Sequence, residues 1–324
     1  MKAVMCEEYG PVEKLRFKEV DDLAVGEGQL LIDVKAAGCN FPDALVIQGK
    51  YQIKVPPPFA PGGEGSGVVS AIGENVSGYA VGDRVLFYSL TGAFAEQIVI
   101  PAGNAVIIPD EMPYPTAAGF LAAYGTGYHS FKQRAGLQPG EHVLILGASG
   151  GLGSSAIQIA KAMGARVIAC ASSAEKLAAC KELGADWLID YTSEDLKTAI
   201  AEKTGRKDVD VIYDPVGGDY SEQAFRCIAP GGRHLVLGFT TGNIPAIALN
   251  LPLVKEASLV GVFWNSWIMR YQDLHHENMA ELFRLYLDGK INPLISDTYP
   301  LAEYEKAFHC LAGRRALGRI ILTV

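Results

Sequence analysis

Residues 147–153 read GASGGLG, placing Gly147, Gly150, Gly151 and Gly153 between an apolar run, HVLILGA, and a helical run expected to start near Ser154. Glycines at this spacing permit a tight turn, let an anion approach the backbone and allow a helix to pack closely on its strand. The helix that follows offers unsatisfied N–H groups and the positive end of its dipole. Together these features suit a pyrophosphate, with Gly150, Gly151, Leu152 and Gly153 as its contacts. The bland alternative is a strand-to-helix connection that holds nothing.

A second strand, RVIACA, ends at Ala171. Nucleotide-binding units of this kind usually carry Asp or Glu there, to accept hydrogen bonds from a ribose 2′-hydroxyl, and that carboxylate would repel a 2′-phosphate. Here ACASSAEKL supplies Ser172, Ser173 and Lys176 instead. Two hydroxyls and a cation suit the 2′-phosphate of NADP(H). Otherwise Ser173 is a helix N-cap and Lys176 a solvated cation, partly countered by Glu175.

Other constellations carry less. Ser149 lies within the phosphate turn and in no G-x-S-x-G motif, which argues against a hydrolase. The six histidines show no ligand spacing, and adjacent His275 and His276 should diverge on a solvated helix surface. Six scattered cysteines without a C-x-x-C pair suit reduced thiols and a cytoplasmic setting.

The elements that must position these residues fall into two patterns. The first ~120 residues are β-rich, with QLLIDVKAAG, GSGVVSAIG, DRVLFYS and AEQIVIP as short runs between Gly, Pro and Asp. From Ala117 helical composition begins, and strands then alternate with helices through HVLILGA, RVIACA, WLID, VDVIYDPV, RHLVLGF and SLVGVFW. That alternation implies a doubly wound parallel sheet covered on both faces. Expected bounds are 1–122 with 266–324 for the β-rich domain and 123–265 for the nucleotide-binding one. A net charge of −8 disfavours nucleic acid as the main partner. No signal peptide or membrane-spanning run is evident.

Four stretches are similar to one family: AAGCNFPDALVIQGKY at 36–51, PFAPGGEGSGVVSAIGENVSGYAVGDRV at 58–85, GASGGLGSSAIQIAKAMGARV at 147–167 and YDPVGG at 213–218. With LGRIILTV near residue 324, the chain resembles the medium-chain dehydrogenase/reductase superfamily, specifically its zinc-independent quinone oxidoreductase (zeta-crystallin-like) branch. The resemblance implies an α/β fold: a GroES-like catalytic domain plus a Rossmann domain. It implies a homodimer or homotetramer as well, paired at Rossmann sheet edges near IPAIALNLPLVKEASLVGVFW. Zinc alcohol dehydrogenases place metal ligands where this chain has Asn40 and Gly63, and neither residue replaces thiolate or imidazole. Cys39 lies one residue off, and no cysteine-rich structural lobe is present, so no metal is expected.

The same resemblance assigns roles by position. Asn40 would lie beside the nicotinamide ribose and carboxamide, and Thr126 near the nicotinamide amide. Tyr191 would flank the adenine or 2′-phosphate. Gly217, Gly218, Gly238 and Phe239 lie at expected strand ends, where open α/β sheets bind ligands. Phe263, Trp264 and Asn265 would border the nicotinamide, or be interdomain core. Tyr51 matches a tyrosine near the cofactor and is a candidate proton donor, as in enoyl thioester reductases. Asp43 is read equally as a site residue or a helix cap.

Without a Lewis acid, an alcohol is a poor hydride donor, whereas a quinone or conjugated alkene accepts hydride unaided. NADPH-dependent quinone reduction is therefore the leading expectation. Reduction of an α,β-unsaturated carbonyl or enoyl-CoA is the alternative, for which Lys50 and Lys54 offer a weak positive rim. A non-catalytic NADPH-binding protein is the third.

Overall fold

The computed structural model describes residues 1–313 and 315–324. It divides into two compact units, residues 1–122 with 295–324 and residues 123–294. The first unit begins with β1 (Lys2–Met5), β2 (Arg16–Glu19) and the long β3 (Gln29–Cys39), followed by helix α1 (Phe41–Ile47). Strands β4 (Glu64–Ile72), β5 (Arg84–Tyr88), β6 (Gln97–Pro101) and β7 (Ala105–Ile107) come next, then helix α2 (Tyr114–Ala118). In β3 the residues Leu30, Ile32 and Val34 are buried at every second position, the period of a pleated strand with one face on a core.

Helix α3 (Leu121–His129) leads into β8 (His142–Ile145) and α4 (Gly151–Ala162). The alternation continues through β9 (Arg166–Ala171), α5 (Ala174–Glu182), β10 (Trp187–Asp190), α6 (Leu196–Thr204), β11 (Val209–Asp214), α7 (Asp219–Arg226) and β12 (Ile228–Val236). Helix α8 (Asn250–Lys255), β13 (Ser258–Gly261), α9 (Trp264–Ile268) and α10 (Gln272–Leu287) complete the second unit. Its sheet runs β10-β9-β8-β11-β12-β13, with every pairing parallel. That is the doubly wound dinucleotide-binding order, which reverses direction beside β8. Val143, Leu144 and Ile145 are each fully buried, as a strand with helices on both faces requires.

The chain then re-enters the first unit with β14 (Ile295–Pro300), α11 (Tyr304–Ala312) and β15 (Arg319–Thr323). The seven-stranded sheet runs β14-β15-β3-β4-β5-β7, and β6 also pairs with β3. Strand β15 lies antiparallel to β3, so that Ile320 faces Cys39 and Thr323 faces Ala36. A core of Leu30, Ile32, Phe87, Phe94, Phe308 and their neighbours fills this unit.

Three expectations need correction. Helix α4 begins at Gly151 rather than near Ser154, because Gly150 serves as an extended N-cap and the glycine run itself forms the first turn. Residues 266–294 belong to the second unit rather than the first. There Glu281 of α10 accepts hydrogen bonds from Tyr128 and, at 2.6 Å, from Lys132, while Asn278 accepts from Gln133 at 3.0 Å. His275 is buried edge-on against Trp264 rather than solvated.

Candidate functional site

In the second unit the phosphate turn is a fixed object. Gly150 N–H donates to the Gly147 carbonyl at 3.1 Å, and α4 starts immediately after. A Cβ on Gly153 would lie 2.3 Å from the Gly147 oxygen and 2.5 Å from Ala148 Cα, so helix and turn meet where no side chain fits. The first-turn N–H groups of Gly151, Leu152 and Gly153 have no intrahelical carbonyl to meet, which is the property an anion uses.

At the end of β9, Ser173 N-caps α5 by accepting from the Lys176 N–H at 3.4 Å, and Lys176 Nζ donates to the Ser172 hydroxyl at 3.2 Å. Two hydroxyls and an ammonium thus converge at a helix N-terminus, with Ser172 exposed. Tyr191, just beyond β10, tilts against Tyr220 with ring centroids 4.5 Å apart.

The turns after β11 and β12 are laced together. Gly218 N–H donates to the Asn243 carbonyl at 3.0 Å, and Thr241 N–H to the Val216 carbonyl at 3.1 Å. Gly217 has φ of 75°, and a Cβ there would lie 2.9 Å from the Phe239 ring. Gly218, Gly238 and Phe239 are therefore brought together as one ridge at the carboxyl ends of adjacent strands. Phe263, half exposed, precedes buried Trp264 and half-buried Asn265 at the start of α9. The Trp264 indole lies against Gly125, next to Thr126, whose carbonyl accepts from Ser130 at 2.6 Å.

In the first unit a polar network stands at the end of β3. Asn40 Nδ2 donates to Glu64 Oε1 at 2.9 Å and to the Gly38 carbonyl at 3.3 Å, and its Oδ1 accepts from Arg319 Nη1 at 2.8 Å. Arg319 Nη2 pairs with Glu64, whose other oxygen accepts from the Ala122 N–H at 2.7 Å. Glu64 is 1% exposed and Arg319 5%. Asp43 accepts from the Asn40 N–H at 2.7 Å, so the helix-cap reading describes its observed bond. Burial, and the nearby Glu64 carboxylate, push the Asp43 carboxyl up to about 7 against the pull of backbone N–H donors and Arg319.

Asn40, expected beside the nicotinamide, bonds through both amide atoms to Arg319, Glu64 and Gly38. Glu64 and Arg319 were not among the expected site residues. Their signal was present: each is a charge at the head of an apolar strand, and buried charges come paired. Tyr51 is half-buried against the core of this unit. Burial first, then Tyr51, Asp43 and Glu64, hold the Tyr88 phenol above its ordinary value, which puts these groups in one neighbourhood.

The residues at this locus do not fit zinc. Its ligands would have to come from an amide, a glycine and a carboxylate already bound to a guanidinium, where tetrahedral zinc takes thiolate, imidazole or free carboxylate. Among the described residues, no three His, Cys, Asp or Glu side chains converge as a metal set.

Residues 26–110 match the alcohol dehydrogenase GroES-like domain and residues 151–281 the zinc-binding dehydrogenase family. The quinone oxidoreductase-like protein 2 homolog of Nematostella vectensis is 36% identical over 99% of this chain and 88% of its own. The human synaptic vesicle membrane protein VAT-1 homolog is 32% identical, covering 95% of this chain and 82% of its own. The Escherichia coli quinone oxidoreductase solved with NADPH superimposes with a TM-score of 0.91 at 29% identity, over 100% of both chains. The chain belongs to the medium-chain dehydrogenase/reductase superfamily, among its quinone oxidoreductase-like members. Among the described residues no helix is long and apolar enough to cross a membrane.

Proposed function

We propose that this chain is an NADPH-dependent oxidoreductase of the quinone reductase type, working in the cytoplasm without a metal. The observation that carries the reading is the Arg319–Glu64–Asn40 network. The cation at that locus is a guanidinium already neutralised by a carboxylate, so the substrate has to draw electrons without a Lewis acid. A quinone does. Bound NADPH supplies the hydride.

The protein's own residues bind, orient and protonate. Gly150, Gly151, Leu152 and Gly153 hold the pyrophosphate on the N-terminus of α4. Ser172, Ser173 and Lys176 hold the 2′-phosphate, with Tyr191 beside the adenosine. Thr126, Gly218, Gly238, Phe239, Phe263, Trp264 and Asn265 border the nicotinamide. Asn40 fixes the end of β3 through Arg319, and the Tyr51 hydroxyl delivers the proton. The Nematostella and E. coli proteins named above support the quinone assignment.

Reduction of an enoyl thioester or enone is the second reading, favoured by the grouping of Tyr51 with Tyr88 and the Asp43 carboxyl. A homodimer or homotetramer would cover the edge strand β13 and the nearby Leu249, Leu253 and Val254, which are 80%, 76% and 71% exposed.

The test follows oxidation of NADPH by its absorbance with a simple quinone and with crotonyl-CoA in parallel, using NADH as cofactor control. Quinone turnover that prefers NADPH and persists with a chelator supports the main reading. Turnover with crotonyl-CoA alone selects the second reading, and tight NADPH binding without turnover selects a non-catalytic role. An NADH preference removes the assignment of Ser172, Ser173 and Lys176.

A further inference from the structure

One buried carboxylate in the second unit collects four hydrogen-bond partners. Asp214, the last residue of β11, is 2% exposed. Its Oδ1 accepts from the N–H of Val216 at 2.8 Å and of Gly217 at 3.0 Å. Its Oδ2 accepts from the Ser221 hydroxyl and faces His234 Nε2 at 3.0 Å. The carboxylate accepts, so the hydrogen-bond pattern assigns the imidazole proton to Nε2. His234 is 1% exposed, stacks on Phe225 and leaves Nδ1 without a partner.

Serine, histidine and aspartate together suggest a hydrolytic triad, but the order is wrong. A triad needs imidazole between hydroxyl and carboxylate, so that a base can take the serine proton. Here the carboxylate lies between the other two, and Ser221 has no base.

The network's work is mechanical. His234 lies on β12 opposite Ile212, two residues short of the Val236 that pairs with Asp214, and therefore on the same side of the sheet. Asp214 thus joins β11 to β12 directly below the laced turns that carry Gly217, Gly218, Gly238 and Phe239. It also draws two N–H groups of its own turn inward, as Asp side chains do at turns. With Oδ2 held by His234 and Ser221, Oδ1 has one orientation. Gly217 and Gly218 are then fixed against Phe239 and Thr241.

We propose that Asp214, braced by His234 and Ser221, is a positioning residue that sets the cofactor-facing ridge of the Rossmann unit. The inference rests on the NADPH reading above and assigns that site its rigid support. His234 is the distinctive member, since its ring reaches the carboxylate from the neighbouring strand and stacks on Phe225.

The test measures NADPH affinity by fluorescence, without acceptor, on the full chain and on His234→Phe, His234→Gln and Ser221→Ala, each also melted thermally without cofactor. Phe removes the donor and keeps the ring's bulk, whereas Gln restores an N–H toward Asp214. The expected result is roughly tenfold weaker NADPH binding for His234→Phe, the size of one charge-assisted hydrogen bond. His234→Gln should regain most of that loss, and Ser221→Ala should lose a smaller part. In turnover, KM for NADPH should rise more than kcat falls. If the Phe variant does not fold, the order wild type, Gln, Ala in affinity decides. Equal affinity across the folded variants overturns the proposal. So does a loss that simply tracks melting temperature without rescue by Gln. A wild-type chain that fails to bind NADPH would overturn the NADPH reading instead.

Discussion

Asp43 in the first unit and Asp214 in the second are equally hidden, at 3% and 2% exposed, yet their carboxyl groups move in opposite directions. Burial pushes both up. At Asp43 it wins, helped by the Glu64 carboxylate, and the group reaches about 7. At Asp214 burial is the largest single influence, but His234, Ser221 and the Gly217 N–H together outweigh it and hold the group below its ordinary range. Depth does not decide whether a buried carboxyl keeps its proton; the number of donors facing it and the sign of its neighbour do. One unit holds a carboxyl that titrates near neutrality beside a guanidinium. The other holds a permanent anion that organises backbone.

The largest test of that contrast removes the guanidinium. Arg319→Met should strand the Glu64 carboxylate and cost about 3–5 kcal/mol in denaturant unfolding, the usual penalty for breaking a buried pair from one side. Adding Glu64→Gln should return much of it, and simple additivity of the two losses would show that the pair is not coupled.

The pH dependence of stability should separate the two carboxyls next. Folded Asp43 keeps its proton to about pH 7, while the unfolded chain releases it near 4. The native state therefore holds more protons in that window, and stability falls as pH rises through it, by up to about 1.4 kcal/mol per pH unit. Urea unfolding of Asp43→Asn should lack this slope. An unchanged slope would move the titration to another group.

Asp214→Asn should cost about 2 kcal/mol at neutral pH, through lost acceptors for His234 and Ser221. Its sign is the reverse: stability from a depressed carboxyl is present above the ordinary range and lost as pH falls through the folded value. The gap between this variant and wild type should accordingly close in acid. A constant gap would mean the carboxylate charge is idle.

Smallest of all, Lys176→Ala should lower NADPH affinity by about tenfold, one exposed charge-assisted contact, and leave NADH unchanged. Equal loss with both cofactors would place Lys176 away from the 2′-phosphate.

Much of the second unit is legible in its sequence because its logic is local. A glycine-spaced turn, the helix it starts and the serines after the next strand lie within thirty residues of one another, about the span of a single βαβ unit. The helix start at Gly151 was misplaced because glycine reads as a loop when its role is to admit a close contact. The first unit's network is not local. Glu64 and Arg319 are 255 residues apart in sequence, and only the antiparallel register of β15 on β3 and of β3 on β4 brings them together. Each charge is visible in its strand as an anomaly, while the identity of its partner is a property of the sheet. Asp214 and His234 share that character over twenty residues. Residues 266–294 were misassigned for a related reason: Glu281 and Asn278 belong with Tyr128, Lys132 and Gln133 through contacts that no periodicity reveals.

Strand β15 sits between β14 and β3, so a strand made after the whole of the second unit completes the interior of the first unit's sheet. As the chain leaves the ribosome, β3 and β4 can pair early, but Glu64 waits for its cation until residue 319 has emerged. The second unit, continuous in sequence, can finish folding during that delay. The order of assembly is thus written into the strand order: the nucleotide-binding half first, the half with the buried guanidinium only once β15 has been made.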